Sequence, residues 1–369
     1  MALCLSVGGR TISTADGPCT EILAGTVDGV VRLRRASPGA AWQEADRFLG
    51  GQMVNAVTLE PASGMLFVAT QDDGLHASAD GGRSWQRRDR GMAFDRVWTV
   101  TYVRAGGELR LYAGTEPAHL YVSTDLGESW VELAAMRAVP TVDQWFFPGQ
   151  PNRGHVKHVA VDPTDPETLY VSIEVGGVLK SSDGGRSWRV LDGFYEDVHR
   201  VLVCSSDPRH LHMATGEGLY QSHDAGESWT YLGRSIEGIM YADPLIMHPH
   251  QESVLYFAGA MTNPRYWYTT HTTTSRFIKT VDGGATWQVL GDGLPDPIPG
   301  SVEALGLEAA PDGCCVAAGT TRGEVYVSDD DGVTWAVVAG LPGIGKDYHV
   351  AMLTPAAAAQ QAGAEAHRG

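Results

Sequence analysis

The amino-acid sequence predicts an all-β fold: a seven-bladed β-propeller with Asp-box turns, its ring closed by a C-terminal strand. Three observations predict it: a recurring turn motif, four strand patterns in every repeat except the first, and repeats of 41 to 58 residues. Four-stranded units of about this length are typical of propeller blades. Seven units occupy most of the 369 residues, so we expect one domain, 1–355, followed by a disordered tail, 356–369.

The turn motif, which we call the Asp-box, reads Ser/Thr-x-Asp-x-Gly-x-Ser/Thr-Trp. Six intact copies stand at Ser78–Trp85, Ser123–Trp130, Ser181–Trp188, Ser222–Trp229, Thr280–Trp287 and Ser328–Trp335. A degenerate copy, Arg35–Trp42, has Ser37 where the others have Asp. Its glycine permits a positive φ, its aspartate accepts backbone hydrogen bonds, and its tryptophan packs between units. We therefore expect these aspartates to be structural and not catalytic.

The strand patterns are clearest in the second repeat, which contains the runs Asn55–Leu59, Met65–Thr70, Leu75–Ser78 and Trp85–Arg88. The first repeat lacks an innermost strand of its own. The segment Tyr348–Thr354 has the missing pattern, and we expect it to close the ring by pairing with the first blade. The alternative is that Leu3–Val7 takes this place.

Composition narrows the classes of binding partner and the cellular location that we expect for this protein. The net charge of −17 argues against nucleic acid and anionic membranes as main partners. No apolar run approaches the roughly 18 residues of a membrane span, and the first residues lack the basic region of a signal peptide. Five cysteines without metal-ligand spacing indicate reduced thiols, and hence a cytoplasmic protein.

Aligning the innermost strands by their apolar positions places one column of residues just before each apolar run. The column contains Asn55, Trp98, Lys157, His199, Asp243, Glu303 and His349. Because the innermost strands of a propeller surround its axis, we expect these side chains to meet at one mouth of the channel. Ionisable groups confined together shift one another's pKa values, which suits acid–base chemistry or metal binding.

This column suggests a divalent metal, Zn, Mn or Fe, held by His199, Asp243, Glu303 and His349. Lys157 or His155 would move protons beside it, and Asp243 would act as fourth ligand or base. Without a metal, Asp243 and Glu303 would form an acid/base pair. The alternative is a wet, inert channel lining.

Other residues are expected to bind substrate on the same face. Two aromatic-rich insertions, Ala138–Gly154 and Met261–Arg276, would wall the mouth. They contribute Trp145, Trp267 and His271. The loops after second strands add Glu116, Glu174 and Arg322, which join Asn55 and Trp98 from the column.

The six Asp-boxes resemble those of BNR/Asp-box repeat proteins, which include sialidases, xyloglucan-cleaving glycosidases, sortilin-type receptors and a photosystem II assembly factor. Over Glu21–Gly343 the chain is similar to bacterial WD40/YVTN/BNR-like repeat proteins often labelled glycosyl hydrolase. The resemblance implies a sialidase-like propeller fold and leaves the activity open. Sialidase chemistry itself is not expected, because the chain has no Arg-Ile-Pro motif.

Two functions therefore compete. The leading expectation is an enzyme with an axial pocket, a metal-assisted hydrolase or lyase acting on a small polar or sugar-like molecule. The alternative is a non-catalytic scaffold or assembly factor that binds a protein partner on the mouth face.

Overall fold

The computed structural model describes residues 2–148, 152–233, 236–264 and 273–345. It confirms an all-β propeller of seven blades. Two short strands open the chain, β1 (Leu3–Leu5) and β2 (Ile12–Thr14). Blade 1 continues with β3 (Glu21–Thr26), β4 (Gly29–Arg34) and β5 (Gln43–Phe48). Blade 2 contains β6 (Val54–Glu60), β7 (Met65–Thr70), β8 (Leu75–Ser78) and β9 (Gln86–Arg87).

The next three blades repeat this order. Blade 3 contains β10 (Val97–Ala105), β11 (Glu108–Thr115), β12 (Leu120–Ser123) and β13 (Val131–Glu132). Two 3-10 helices follow, Ala134–Ala138 and Val142–Gln144. Blade 4 contains β14 (Val156–Val161), β15 (Leu169–Ile173), β16 (Gly177–Ser181) and β17 (Arg189–Leu191). Blade 5 contains β18 (Val198–Val203), β19 (Leu211–Thr215), β20 (Gly218–Ser222) and β21 (Thr230–Gly233).

The last two blades have five strands each. Blade 6 contains β22 (Tyr241–His248), β23 (Gln251–Ala260), β24 (Thr274–Thr280), β25 (Gln288–Val289) and β26 (Ile298–Pro299). Blade 7 contains β27 (Val302–Ala310), β28 (Gly313–Thr320), β29 (Glu324–Ser328) and β30 (Ala336–Gly340), with β2 at its inner edge. Within the described ranges, no helix is long and apolar enough to cross a membrane.

Burial follows position within a blade. The second strand β7, Met-Leu-Phe-Val-Ala-Thr, is buried at every residue because neighbouring blades cover both of its faces. The outermost strand β5, Gln-Glu-Ala-Asp-Arg-Phe, is exposed at its first five residues. The core is therefore a series of apolar layers between adjacent blades, and the polar residues lie at the rim.

The N-terminal strands complete the ring. β1 pairs in parallel with β3, placing Leu3 opposite Ile22, and β2 pairs in parallel with β27, placing Ile12 opposite Leu307. This corrects the expectation of a C-terminal strand at the inner edge of blade 1, since β1 occupies that place. Leu3 and Leu5 suit it because both are fully buried in the apolar layer between blades 7 and 1. The segment 348–354 lies outside the described residues.

The six Ser/Thr-x-Asp turns share one hydrogen-bond pattern. In the first, Ser78 Oγ donates to Asp80 Oδ1 at 2.8 Å, and the Gly82 N–H donates to Ser78 Oγ at 2.8 Å. Asp80 also accepts the Ser84 N–H at 2.9 Å and Ser84 Oγ at 2.7 Å. These hydrogen bonds from Ser84 lower the pKa of Asp80 to about 2. The carboxylate of Asp80 is thus engaged in hydrogen bonds within its own turn, as expected of a structural residue.

Candidate functional site

β-Bulges accompany the predicted column of side chains, whose described members except His199 line one pocket at the channel mouth. Where the innermost strand of a blade pairs with the second strand, one residue of the innermost strand is left without a partner in the register. These residues are Asn55, Trp98, Lys157, His199 and Glu303, and in blade 6 both Asp243 and Pro244 are left out. A bulge bends its strand and re-aims the extra side chain. The same local irregularity in six blades therefore brings the start of each innermost strand to one place.

Lys157 lines this mouth. Its Nζ is 3.1 Å from Glu174 Oε2 and 3.5 Å from Asp243 Oδ2. Burial opposes its charge, but the carboxylates of Asp243, Glu174 and Glu303 outweigh burial and raise the pKa of Lys157 above its ordinary value. The lysine is accordingly a fixed cation and a poor proton donor near neutral pH.

The mouth pocket is predominantly acidic. It encloses about 410 Å³ of empty space, including the part open to solvent, and is lined by Val7, Met53, Asn55, Trp98, Phe147, Lys157, Glu174, Asp243, Glu303 and Gly345. Among the described lining residues, three carboxylates thus accompany one ammonium group. Burial disfavours ionisation of Glu174, yet Lys157 and His155 hold its pKa well below the ordinary value. The carboxylate of Glu174 is therefore stabilised by these two neighbours.

His155 forms the aromatic wall behind the pocket. It is fully buried, its Nε2 lies 2.8 Å from Glu174 Oε2, and its ring stacks on Trp98 with centroids 3.8 Å apart. The Phe147 ring packs against the His155 ring in a T-shaped arrangement, with the ring centroids 5.2 Å apart. Trp98 in turn donates its Nε1–H to Glu116 Oε2 at 3.1 Å. These contacts fix the rings that line the pocket.

His199 lies between blades 5 and 6. Its Nδ1 contacts the Ala242 carbonyl, and its Nε2 lies 3.2 Å from Asp197 Oδ1 and 3.0 Å from the Tyr241 hydroxyl. Burial lowers its pKa, but the charges of Asp197 and Asp243 prevail and raise the pKa of His199 to about 9. It is therefore a protonated structural group near neutral pH.

The predicted metal-ligand set does not fit a divalent cation at its described members. His199 gives both ring nitrogens to protein groups, and Lys157 places a cation beside Asp243. Glu174, Asp197 and His199 have ligand atoms within 4.8 Å of one another, but a metal there would have to displace the contacts of His199 with Asp197 and the Ala242 carbonyl. His349 lies outside the described residues.

Of the remaining predicted site residues, some line the pocket or lie next to it and others do not. Asn55 lines the pocket and donates Nδ2–H to Gln71 Oε1 and to the Val97 carbonyl. Glu116 is buried behind it in contact with Arg96.

Trp145 does not line the pocket; it packs between blades 3 and 4, where its indole fills an apolar layer. The Arg322 side chain is 63% exposed, 3.8 Å from Glu324, also outside the lining. Trp267 and His271 lie outside the described residues.

The N-terminal crossing, Ser6–Thr11, was missed by sequence reasoning. The Gly8 N–H donates to the Asn55 carbonyl at 2.8 Å, and Thr99 Oγ1 donates to the Gly8 carbonyl at 2.6 Å. On the other side of the axis, Arg200 Nη2 donates to the Val7 carbonyl at 2.9 Å. The segment therefore spans the channel from blades 2 and 3 to blade 5. The adjacent glycines Gly8-Gly9 were the available signal.

The crossing separates the mouth pocket from a larger chamber on the opposite face. Val7 lines the pocket, whereas Gly8 to Thr11 line the chamber, which has about 1440 Å³ of empty space including its opening. Arg10, Arg104 and Arg200 line that chamber, with Glu252 as its carboxylate. The two ends of the channel thus differ in charge as well as size.

No protein-family model matches this chain. A xyloglucanase from Paenibacillus sp is 24% identical over 232 residues, which are 51% of this chain and 21% of that protein. The chain therefore spans about a fifth of that relative. The photosystem II assembly lipoprotein Ycf48 of Synechococcus sp. (strain CC9902) is 22% identical over 206 residues, 56% of each protein.

Two solved structures extend the comparison. An ancestral GH74 enzyme has a TM-score of 0.61 at 19% identity, covering 82% of this chain and 40% of that one. Ycf48 from Cyanidioschyzon merolae has a TM-score of 0.51 at 16% identity, covering 83% and 90%. These similarities show the propeller fold alone. They include a glycoside hydrolase and an assembly protein, and they do not separate the two functions.

Proposed function

We propose that this propeller is a binding protein that holds a ligand by an ammonium or guanidinium group at the axial mouth and catalyses no reaction on it. The observation that carries the proposal is the surplus of carboxylate over ammonium among the described lining residues, where Glu174, Asp243 and Glu303 stand with Lys157. A second cation would neutralise that surplus through charge-assisted hydrogen bonds. The ligand is a small polar amine or a basic side chain of a partner protein.

The pocket wall suits such a ligand. Trp98 and Phe147 line the pocket beside the acidic groups. Aromatic faces attract ammonium and guanidinium groups, and the attraction grows when water is excluded. A cation entering the mouth would thus meet carboxylates and aromatic surface together, and a neutral sugar would satisfy neither the charge nor the buried acids.

The ionisable groups that could act as acid or base are already paired with protein groups, which supports binding over catalysis. Lys157 is held by two carboxylates, and His199 is held by Asp197 and Ala242. A general base or acid must reach the reacting proton with a pKa near the working pH.

Calorimetric titration tests the proposal. Wild type should bind cadaverine, methylguanidinium or a lysine-containing peptide, and should not bind pentanol or glutarate. Glu303→Gln and Asp243→Asn should each weaken amine binding on the order of 10-fold, because each removes one charge-assisted partner. Glu108→Gln, which alters an exposed carboxylate at the start of β11, is the matched control. Equal affinity for pentanol and cadaverine, or an unchanged affinity in both pocket variants, would sink the idea.

A glycoside hydrolase is the second candidate, favoured by one observation: Asp243 and Glu303 line the same pocket. Such a pair would act as general acid and base across a glycosidic bond. Incubation with xyloglucan, the substrate named for the xyloglucanase relatives, tests this candidate. Release of reducing sugar by wild type, lost in both Asp243→Asn and Glu303→Gln, would favour the hydrolase over the binding protein.

A further inference from the structure

A second group of metal-ligating side chains lies at the far end of blade 5, away from the mouth. Cys204 directly follows β18, His210 directly precedes β19, and His212 lies on β19. The Cys204 N–H donates to the His210 carbonyl at 3.0 Å, and Leu202 pairs with His212. Side chains two residues apart on a strand share a face, as do directly opposed residues. The hairpin therefore presents all three side chains on one face.

Their ligand atoms are close together and incompletely satisfied. One ligand atom from each residue lies within 4.8 Å of the other two. Cys204 and His212 are 1% and 3% exposed. Within the described ranges, His210 Nε2 and His212 Nε2 are buried and have no hydrogen-bond partner. Buried nitrogens are normally paired, so two unsatisfied ones on histidines that cluster with a thiol need an explanation.

We propose that Cys204, His210 and His212 bind a divalent transition-metal ion of the zinc type. One thiolate and two imidazoles are a donor set that zinc prefers. Binding would release the thiol proton to solvent as the sulfur takes up the ion. The ligand atoms would close to about 3–4 Å apart, which bonds of roughly 2.0–2.3 Å require.

The site has room for this adjustment. Cys204 Sγ contacts Met247 Sδ at 3.8 Å and His212 Nδ1 lies 3.3 Å from Gln221 Nε2, so both side chains face deformable neighbours. Three protein ligands leave a fourth position for water. The ion would tie the β18–β19 hairpin together and give blade 5 a metal-dependent stability.

The test is metal titration of chelator-treated full-length protein with ZnCl₂, and with CoCl₂ followed by absorption spectroscopy. Wild type should take up one ion, show a thiolate-to-cobalt charge-transfer band, and melt at a higher temperature with zinc. Cys204→Ser should lose the band and bind on the order of 100-fold more weakly, and His212→Gln should weaken binding likewise. Cys315→Ser and His248→Gln, at a buried cysteine and histidine elsewhere, should bind as wild type does.

Circular dichroism of each variant separates loss of a ligand from loss of the fold. Zinc retained by His199→Gln would place the ion at the hairpin and not at the mouth. Failure of folded wild type to take up a stoichiometric ion would overturn the proposal. So would a folded Cys204→Ser variant that binds zinc as tightly as wild type.

Discussion

At the scale of single residues, the mouth illustrates how neighbours decide what an ionisable group does. His199 sits where a catalytic histidine would be expected, yet Asp197 and the Ala242 carbonyl occupy its two nitrogens. Lys157 is likewise shared by Glu174 and Asp243. The residue types are those of an acid–base centre, but their mutual pairing makes them a charged framework.

The pairing of His199 should appear as a pH dependence of stability. Its folded-state pKa of about 9 lies above the ordinary value of 6.5, so its stabilisation is complete below pH 6.5 and is lost as pH rises through 9. The full effect is about 3 kcal/mol in the free energy of unfolding. Urea unfolding from pH 6 to 9.5 should show this loss in wild type and in His250→Gln, an exposed control. A His199→Gln variant with the same slope as wild type would contradict the assignment.

At the scale of elements, the N-terminal crossing and the bulges depend on each other. The bulge at Asn55 leaves its carbonyl available to the Gly8 N–H, and Arg200, next to the bulge at His199, donates to Val7. Close backbone approach requires glycine at the crossing. A Cβ on Gly9 would lie 2.1 Å from the Val57 carbonyl oxygen, and one on Gly8 would lie 2.1 Å from that of Trp98.

Gly9→Ala should displace this crossing. The clash is with backbone, which cannot rotate away, so we expect a loss of roughly 1–3 kcal/mol in stability. Hydrogen exchange should become faster at the Val57 amide, which donates to Ser6 Oγ at 2.8 Å. Gly17→Ala is the matched control, because nothing lies within 4 Å of its added Cβ. If both variants unfold and exchange like wild type, the crossing does not occupy the channel as described.

At the scale of the whole molecule, the sequence predicted the architecture well because the Ser/Thr-x-Asp turns repeat with every blade. It also predicted that Lys157, Glu174, Asp243 and Glu303 would lie together, since equivalent positions in a ring converge. It offered Leu3–Val7 only as the alternative strand for closing the ring, and it did not predict the crossing, because β1 and β2 make parallel pairs with strands that do not neighbour them in sequence. It misjudged Trp145 for a related reason: exposure of an insertion depends on what it packs against.

Because the N-terminal strand β1 closes the ring, a substitution in it should lower the free energy of unfolding strongly, although β1 lies outside the repeat motifs. Leu5 is fully buried between blades 7 and 1, so Leu5→Ala should cost about 2–5 kcal/mol. Val131→Ala on the outermost strand β13 is the control, because Val131 is 67% exposed. Urea unfolding measures both. Equal stability of the two variants would show that β1 is dispensable to the ring.

A crystal structure grown with methylguanidinium tests the acidic mouth most directly. The ion should lie in the pocket beside Trp98 and donate hydrogen bonds to Asp243 and Glu303, with Val7 still forming the floor. A mouth without the ion, at a concentration that saturates binding in solution, would contradict the proposed recognition of a cationic group.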